Sequence, residues 1–463
     1  MTDEEIRRQN HYRKMTESPV QRLIIKLAVP TIISMLVSSI YNMADTYFVS
    51  KLGTSAAGAV GVVFSVMAII QAVGFTIGMG GGVIMSRQLG ARETEKAMSS
   101  ASTAFFFALA LGILLAVFGV LFNKPLMRLL GATETILPYA QSYAAYIFLG
   151  APFMCTSFVM NNLLRSEGKA AFAMVGITAG GVLNIALDPL FIFTFGLGTA
   201  GAAIATSLSQ AISFVILLAF FMMGKSNVRI NIKKVSLKGR LYLDIVKMGL
   251  PSLSRQGLAS LATVALNVSA AAFGDAAVAA MSITSRITFF IFSALLGFGQ
   301  GFQPVCSFNW GARRYGRVYD AVRFTAAVGT AMMIIIPGIC FIFSSFLLRC
   351  FISDDAQVIE MGSLALRAQC FALAFQGICV TTNMALQSSS HYGKATFLAL
   401  CRQGIFFIPV VLILPRIIGL NGVLFAQSIS DILTFFVSIF FFISFLKEVK
   451  CKASGTPDDN LIH

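Results

Sequence analysis

Apolar runs of about twenty residues or more recur twelve times, near residues 23–49, 56–86, 98–121, 134–160, 170–195, 199–223, 242–272, 276–306, 318–346, 356–383, 394–416 and 420–446. A helix of that length rises about 30 Å, the thickness of a bilayer's hydrocarbon core. Inside that core every backbone N–H and C=O must bond within protein, so only helices or closed barrels span it. A barrel strand would alternate polar and apolar residues over about ten positions, and no such alternation is present. The chain therefore reads as an all-α polytopic membrane protein with twelve transmembrane helices. Composition agrees: 57% of residues are hydrophobic and 12% charged, against roughly a quarter charged in soluble domains.

The net charge of +15 is distributed as a topology signal. With the first tail in the cytoplasm, the inner segments hold about 26 of the 35 Lys and Arg, among them Arg7, Arg8, Arg13, Arg87, Arg92 and the run from Lys225 to Lys247. The outer loops hold about five: Lys51, Lys124, Arg128, Arg349 and Arg416. This positive-inside bias places both termini in the cytoplasm. No basic patch is interleaved with stacking aromatics, which argues against a nucleic-acid partner. Residues 1–22 are polar and the first apolar run is too long for a signal-peptide core, so the first span reads as its own anchor. Short loops point to a bacterial inner membrane. The eight cysteines lie mostly inside spans and never in metal-ligand spacing, so they read as small core residues, and no bound metal or cofactor is expected.

Shifting the sequence by 221 residues lays the second half over the first. Pro30 falls on Pro251, Gly53 on Gly274, Gly78 and Gly80 on Gly299 and Gly301, and Gly90-Ala91-Arg92 on Gly311-Ala312-Arg313. Gly198, Gly201, Ala205 and Ser207 meet Gly419, Gly422, Ala426 and Ser428, while Gly168-Lys169-Ala170 matches Gly393-Lys394-Ala395 at an offset of 225. Such a repeat predicts two six-helix bundles. An even number of spans per bundle makes the repeats parallel, related by an axis along the membrane normal, the plan of many secondary transporters. The expected division is a cytoplasmic tail 1–22, a first lobe 23–224, a cytoplasmic linker 225–241, a second lobe 242–446 and a cytoplasmic tail 447–463.

Acids inside spans are costly and mark function by default. Lys26 to Asp45 and Lys169 to Asp188 are each nineteen residues, about 28 Å of helix from the cytoplasmic edge. Two parallel spans thus bring two carboxylates to one depth. Asn184 precedes Asp188 by four residues, and Asn42 and Tyr41 precede Asp45 by three and four, spacings that share a helix face. Thr206, about 10 Å below Thr199, and Tyr143, about 13 Å below Glu134, reach the same layer by the helical rise. A close acid pair in low dielectric shares a proton or holds a cation, so Asp45, Asp188, Asn184 and Thr206 are the candidates for coupling H⁺ or Na⁺. Pro189 leaves the Ile185 carbonyl without its helical donor and predicts a bend there. At offset 221 the acids map to Leu266 and Pro409, so the second bundle lacks the pair.

The second bundle instead carries Arg255, Arg286, Arg367 and Arg402 in its spans against the single acid Asp431. Arg286, Arg367 and Asp431 lie at similar depth, which predicts a structural ion pair or arginines lining a cavity for anionic or zwitterionic cargo. Twenty Met and 42 Phe suit adaptable walls, although such residues more often face lipid or core.

The stretches Tyr41-Asn42-Met43-Ala44-Asp45-Thr46 with Leu52-Gly53, Gly90-Ala91-Arg92 and its copy Gly311-Ala312-Arg313, Arg165-Ser166-Glu167-Gly168-Lys169, and Asn184-Ile185-Ala186-Leu187-Asp188-Pro189 resemble the multidrug and toxic compound extrusion (MATE) family over residues 20–446. The resemblance implies a two-lobed antiporter that expels drugs or toxins in exchange for H⁺ or Na⁺. Asp45, Asn184, Asp188 and Thr206 match the first-lobe cation network of the DinF-like branch, and Asn161 also resembles a network residue. Branches with a second-lobe ion site place acids in the seventh and tenth spans, where this chain has Gln256 and Arg367, with Glu360 at the outer end.

The expected function is thus a monomeric antiporter exporting small organic molecules, with a flippase for a lipid-linked or anionic precursor as the alternative. An enzyme would need a nucleophile, base or metal cluster, whereas His11, His391 and His463 lie in tails or a loop.

Overall fold

The computed structural model describes residues 3–352 and 355–455, and every regular element in them is helical. The first half comprises α1 (Asp3–Glu17), α2 (Val20–Ser50), α3 (Thr54–Gly90), α4 (Thr94–Leu121), α5 (Asn123–Leu129), α6 (Leu137–Ser166), α7 (Ala170–Pro189) and α8 (Gly198–Met222). A π-helical turn, Leu190–Thr194, continues α7. The second half comprises α9 (Gly239–Ala271), α10 (Asp275–Gly311), α11 (Tyr315–Ile342), α12 (Ser344–Arg349), α13 (Ala356–Leu373), α14 (Gln376–Ser388), α15 (Tyr392–Leu400), α16 (Ile408–Ile418) and α17 (Leu420–Ser454). A second π-helical stretch, Cys401–Phe407, joins α15 to α16.

Ten helices among the described residues are long and apolar enough to cross a membrane, counting each π-continued helix as one. The pair α13–α14, bent by 50° at its break, makes an eleventh. The twelfth is α9, 33 residues long, whose apolar face is interrupted by Arg255 and Gln256. Many large apolar side chains point outward, among them Leu121, Ile335, Ile342, Phe346, Phe436 and Phe440. That is the surface a helix bundle needs in lipid and cannot hold in water.

The repeat holds at the level of single hydrogen bonds and dihedrals. The α3 and α10 helices are each 37 residues, and α4 and α11 each 28. Gly53 and Gly274, which precede α3 and α10, sit at φ 112° and 96°, and Arg92 and Arg313, which follow them, at 61° and 58°. Asn161 Nδ2 donates to the Ala173 carbonyl at 2.8 Å, and its mate Asn383 donates to the Ala395 carbonyl at 2.7 Å. The halves differ where helices are irregular: α6 runs unbroken through Pro152, whereas α13 and α14 separate at Ala374 and Phe375.

Two compact units account for the chain, one made of Met1–Met15 with Ile33–Leu253, the other of Thr16–Ile32 with Ser254–His463. Relative to the division expected at 23–224 and 242–446, the leading helices α2 and α9 each give their first half to the other unit. Both cuts fall just after the repeat-related Pro30 and Pro251. The reason is close backbone packing. In the second unit a Cβ on Gly301 would stand 2.3 Å from Ala28 Cα, and in the first a Cβ on its mate Gly80 would stand 1.9 Å from the Ile245 carbonyl oxygen. Only glycine lets a leading helix approach so closely.

The tail expected at 1–22 contains α1, packed on the first unit. His11 Nε2 donates to the Glu167 carbonyl at 2.6 Å, Met15 is fully buried against Gly168, and the Arg92 guanidinium lies 4.3 Å from the Tyr12 ring centroid. The linker is also ordered on this unit: the backbone amides of Asn231 and Ser236 donate to Ser102 and Thr103 at 3.1 and 2.9 Å. Ser226 Oγ and the Asn227 amide donate to the buried Glu167 carboxylate.

Gly80→Val and Gly301→Val should each lower folded yield and melting temperature, by on the order of 1–3 kcal/mol or more, since neighbouring backbone cannot give way. Yields equal to the parent protein in detergent size-exclusion would contradict the packing. Burial lowers the His11 imidazole from 6.5 to about 4, so docking of α1 is strongest above pH 6.5 and weakens as pH falls towards 4, by up to about 1.4 kcal/mol per pH unit. Hydrogen exchange over residues 3–17, corrected for intrinsic rates, should accelerate between pH 7 and 5; unchanged protection would refute it.

Candidate functional site

The residues expected at matched depth meet inside the first unit. Asp188, on the last turn of α7, is fully buried, as is Tyr143 of α6, and Asp45 of α2, Asn184 of α7 and Thr206 of α8 are at most 9% exposed. Asn184 Nδ2 donates to Asp188 Oδ1 and to Thr206 Oγ1, both at 3.2 Å. The Tyr143 hydroxyl donates to Asp45 Oδ2 at 3.5 Å. Both carboxylates and the Thr206 hydroxyl lie within electrostatic reach of that phenol, and the two carboxylates lie within reach of each other. Four helices thus deliver five polar side chains to one place.

Three acceptor oxygens there, Asp45 Oδ1, Asn184 Oδ1 and Asp188 Oδ2, are buried with no donor. Buried acceptors without donors carry a desolvation cost of about 1–3 kcal/mol each, more when charged, and two carboxylates add mutual repulsion. A proton or a small hard cation with oxygen ligands removes both costs. The α7 helix also changes character here. Pro189 supplies no N–H to the Ile185 carbonyl, and the chain widens into the π-helical turn at the next residue. The bend expected at Pro189 is therefore a change of helix type, a feature that frequently accompanies functional sites.

Other expected network residues are arranged differently. The Tyr41 ring packs against Gly181 of α7, one turn before Asp45. Asn42 Nδ2 donates to the Ser38 carbonyl of its own helix. Asn161 is committed to the Ala173 carbonyl near the start of α7, so it belongs to the helix packing that the repeat shares and not to the acid cluster.

In the second unit the expected partners of Asp431 are corrected. Arg286 is exposed on α10, and Arg367, also exposed, donates from Nε to Ser344 Oγ at 2.8 Å. Asp431 instead receives Arg402 Nε at 2.8 Å and Nη2 at 3.4 Å, with Gln427 Nε2 donating to the same carboxylate at 2.9 Å. Counting from one membrane edge missed this pair. Counted from opposite edges, Lys394 to Arg402 is eight residues up and Gly419 to Asp431 twelve residues down, about 12 and 18 Å, which together span the hydrocarbon core. The mates of the two acids are apolar, Leu266 for Asp45 and Pro409 for Asp188. Leu266 sits in a core with Met281, Phe407, Val411, Leu424 and Ala365, the last aligned with Tyr143 at the offset of 222 that pairs Asn161 with Asn383. The mate of Thr206 is Gln427, which donates to Asp431. His463 lies outside the described residues.

The MatE family model matches residues 30–190 and 251–413. The multidrug export protein MepA of Staphylococcus aureus is 28% identical over 416 residues, which are 90% of this chain and 92% of MepA. The protein of the same name from Staphylococcus haemolyticus is 26% identical over 425 residues, 92% of this chain and 93% of the relative. A MATE transporter crystallised in complex with MaL6 superposes with TM-score 0.90 at 26% identity, covering 94% of this chain and 98% of that one. A MOP superfamily transporter from Pyrococcus furiosus, described as having a binding pocket of reverse polarity, gives TM-score 0.88 at 27% identity over the same shares. The family match falls on both halves, in stretches that begin at the repeat-related Pro30 and Pro251 and hold the acid cluster's Asp45, Tyr143, Asn184 and Asp188; the chain belongs to the MatE family, the multidrug and toxic compound extrusion transporters.

Proposed function

We propose that this chain is a secondary antiporter that exports organic compounds in exchange for H⁺ or Na⁺, with the coupling ion taken up by Asp45, Asp188, Asn184 and Thr206. The observation that carries the reading is the set of three buried acceptor oxygens without donors, a surplus that a positive charge relieves. The similarity to multidrug export proteins supports organic compounds as cargo. Duplicated six-helix halves support alternating access, and the Lys and Arg bias supports a multi-pass inner-membrane protein with cytoplasmic termini. A monomer suffices for this scheme, because both halves lie in one chain.

An antiporter must bind its ion with different affinity in its two access states, since a ligand without differential affinity shifts no equilibrium. A carboxylate pair meets that need if one state holds the acids apart and hydrated and the other brings them together. Asn184 fixes one Asp188 oxygen and Thr206 through its amide, leaving its own carbonyl oxygen to share the incoming charge. Tyr143 orients Asp45 by donating to it. The neutralised pair then relaxes the end of α7 at Pro189, where the helix is already irregular.

Asp188→Asn should abolish gradient-driven export of ethidium from proteoliposomes while insertion and cargo binding persist. Asp45→Asn should do nearly the same, and the double variant should be little worse than either single one, because the pair acts as a unit. Leu266 lies in an apolar core, so the second-unit control is Leu266→Met, which preserves volume and should keep export near the parent rate. Near-parental, gradient-dependent export by Asp188→Asn would refute the assignment.

A further inference from the structure

A half-open pocket lies wholly inside the second unit, about 450 Å³ counting the solvent at its mouth, lined by Arg255, Gln376, Asn383, Arg402 and Gln403 together with apolar residues such as Phe292, Val380 and Leu398. Its polar groups are delivered by helix irregularities. Gln376 begins α14, immediately after the 50° break from α13. Arg402 and Gln403 sit on the π-helical stretch Cys401–Phe407. Lys247 to Arg255 and Lys394 to Arg402 are each eight residues, which puts both guanidiniums at one level on spans that run the same way.

The charges in the cavity do not balance. Arg402 is satisfied by Asp431 and lies with its guanidinium carbon 4.1 Å from the Phe292 ring centroid. Both Asp431 oxygens are in turn occupied by Arg402, one of them also by Gln427. Arg255 is half-buried, makes no ion pair with a carboxylate among the described residues, and has Arg402, of like sign, within electrostatic reach. Gln376 is fully buried, and neither its amide nitrogen nor its amide oxygen has a hydrogen-bond partner. Asn383 Oδ1, in the same lining, is also without one. A half-buried cation and a buried amide donor with nothing to donate to, in the lining of one pocket, call for an acceptor bearing negative charge.

We propose that this cavity binds the oxyanion of an amphipathic solute, a carboxylate or a phosphate, with Arg255 and the Gln376 amide holding the charged group and the apolar lining holding the body. The guanidinium fork matches two oxygens of such a group. The Arg402–Asp431 pair fixes one wall and contributes no net charge. The site is independent of ion coupling, since it contains none of the acid-cluster residues and binds without a gradient. The same oxyanion chemistry comes from two sources, a soluble organic acid or the headgroup of an anionic lipid.

The test is equilibrium binding of radiolabelled salicylate to the purified full-length protein in a neutral detergent. Parent protein should bind saturably, and salicylamide, which lacks the charge, should compete at least tenfold more weakly than unlabelled salicylate. Arg255→Gln should weaken binding about tenfold or more, Arg255→Lys, which keeps the charge but not the two-pronged fork, should recover only part of it, and Gln376→Leu should weaken it severalfold, each with an unchanged size-exclusion profile. Competition by submicellar dihexanoyl phosphatidylglycerol stronger than by salicylate would assign the site to a lipid headgroup, still through Arg255. Equal competition by salicylamide, unchanged binding in a folded Arg255→Gln, or no saturable binding of either probe would overturn the proposal. If Arg255→Gln fails to fold, the salicylamide comparison and Gln376→Leu decide it.

Discussion

A charge inside a helix bundle immersed in hydrocarbon is held only by a partner of opposite sign, by surrounding hydrogen bonds or by a ligand, because its hydration is lost and nothing in the lipid replaces it. That cost organises the polar residues of this chain. The first unit gathers Asp45 and Asp188 and leaves three acceptor oxygens without donors. The second gathers Arg255 and Arg402, pairs its buried acid Asp431 with Arg402, and leaves Arg255 with no carboxylate among the described residues and the Gln376 amide with no hydrogen bond. Each unit thus holds buried polar atoms that its own side chains leave unpartnered, and on these the proposed ion site and the proposed oxyanion site rest.

Duplication explains how one backbone carries both. Paired elements such as the Asn161 and Asn383 side-chain bonds and the Gly80 and Gly301 contacts are kept because they hold helices together, a need common to both halves. The carboxylates are not kept: Leu266, the mate of Asp45, is packed in an apolar core, and Pro409 stands at the place of Asp188. Packing alone therefore does not require carboxylates at those positions. Irregular helix marks each polar site, with Leu190–Thr194 following Asp188 and with Cys401–Phe407 and the α13–α14 break flanking the cavity.

Twelve spans, the repeat and the acid cluster were legible because each rests on a regular quantity: span length, a fixed offset, or residues counted along straight helix. Asp45 and Asp188 met as counted since both follow unbroken helix from a lysine at the same edge. Three features were not legible. Arg286 and Arg367 share the depth of Asp431 but point outward, and depth says nothing of helix rotation. Gln376 reached the cavity through a break that no proline announces. The docking of α1 depends on His11 and Met15 meeting a surface formed by residues about 150 positions away, which a polar N-terminal stretch does not reveal. Resemblance added Asn161 to the ion network, and its geometry instead assigns it to the packing shared by both halves.

The central claim is that the first-unit carboxylates hold the ion that cargo displaces. It is tested most directly by titrating purified protein with ethidium in weakly buffered solution, first free of Na⁺ and then with Na⁺ supplied, while recording released protons and Na⁺. The account predicts that ethidium binding to the parent protein releases protons or Na⁺, and that the Asp45→Asn, Asp188→Asn double variant binds ethidium and releases neither. Binding without release of either ion by the parent protein, or equal release from the double variant, would contradict it.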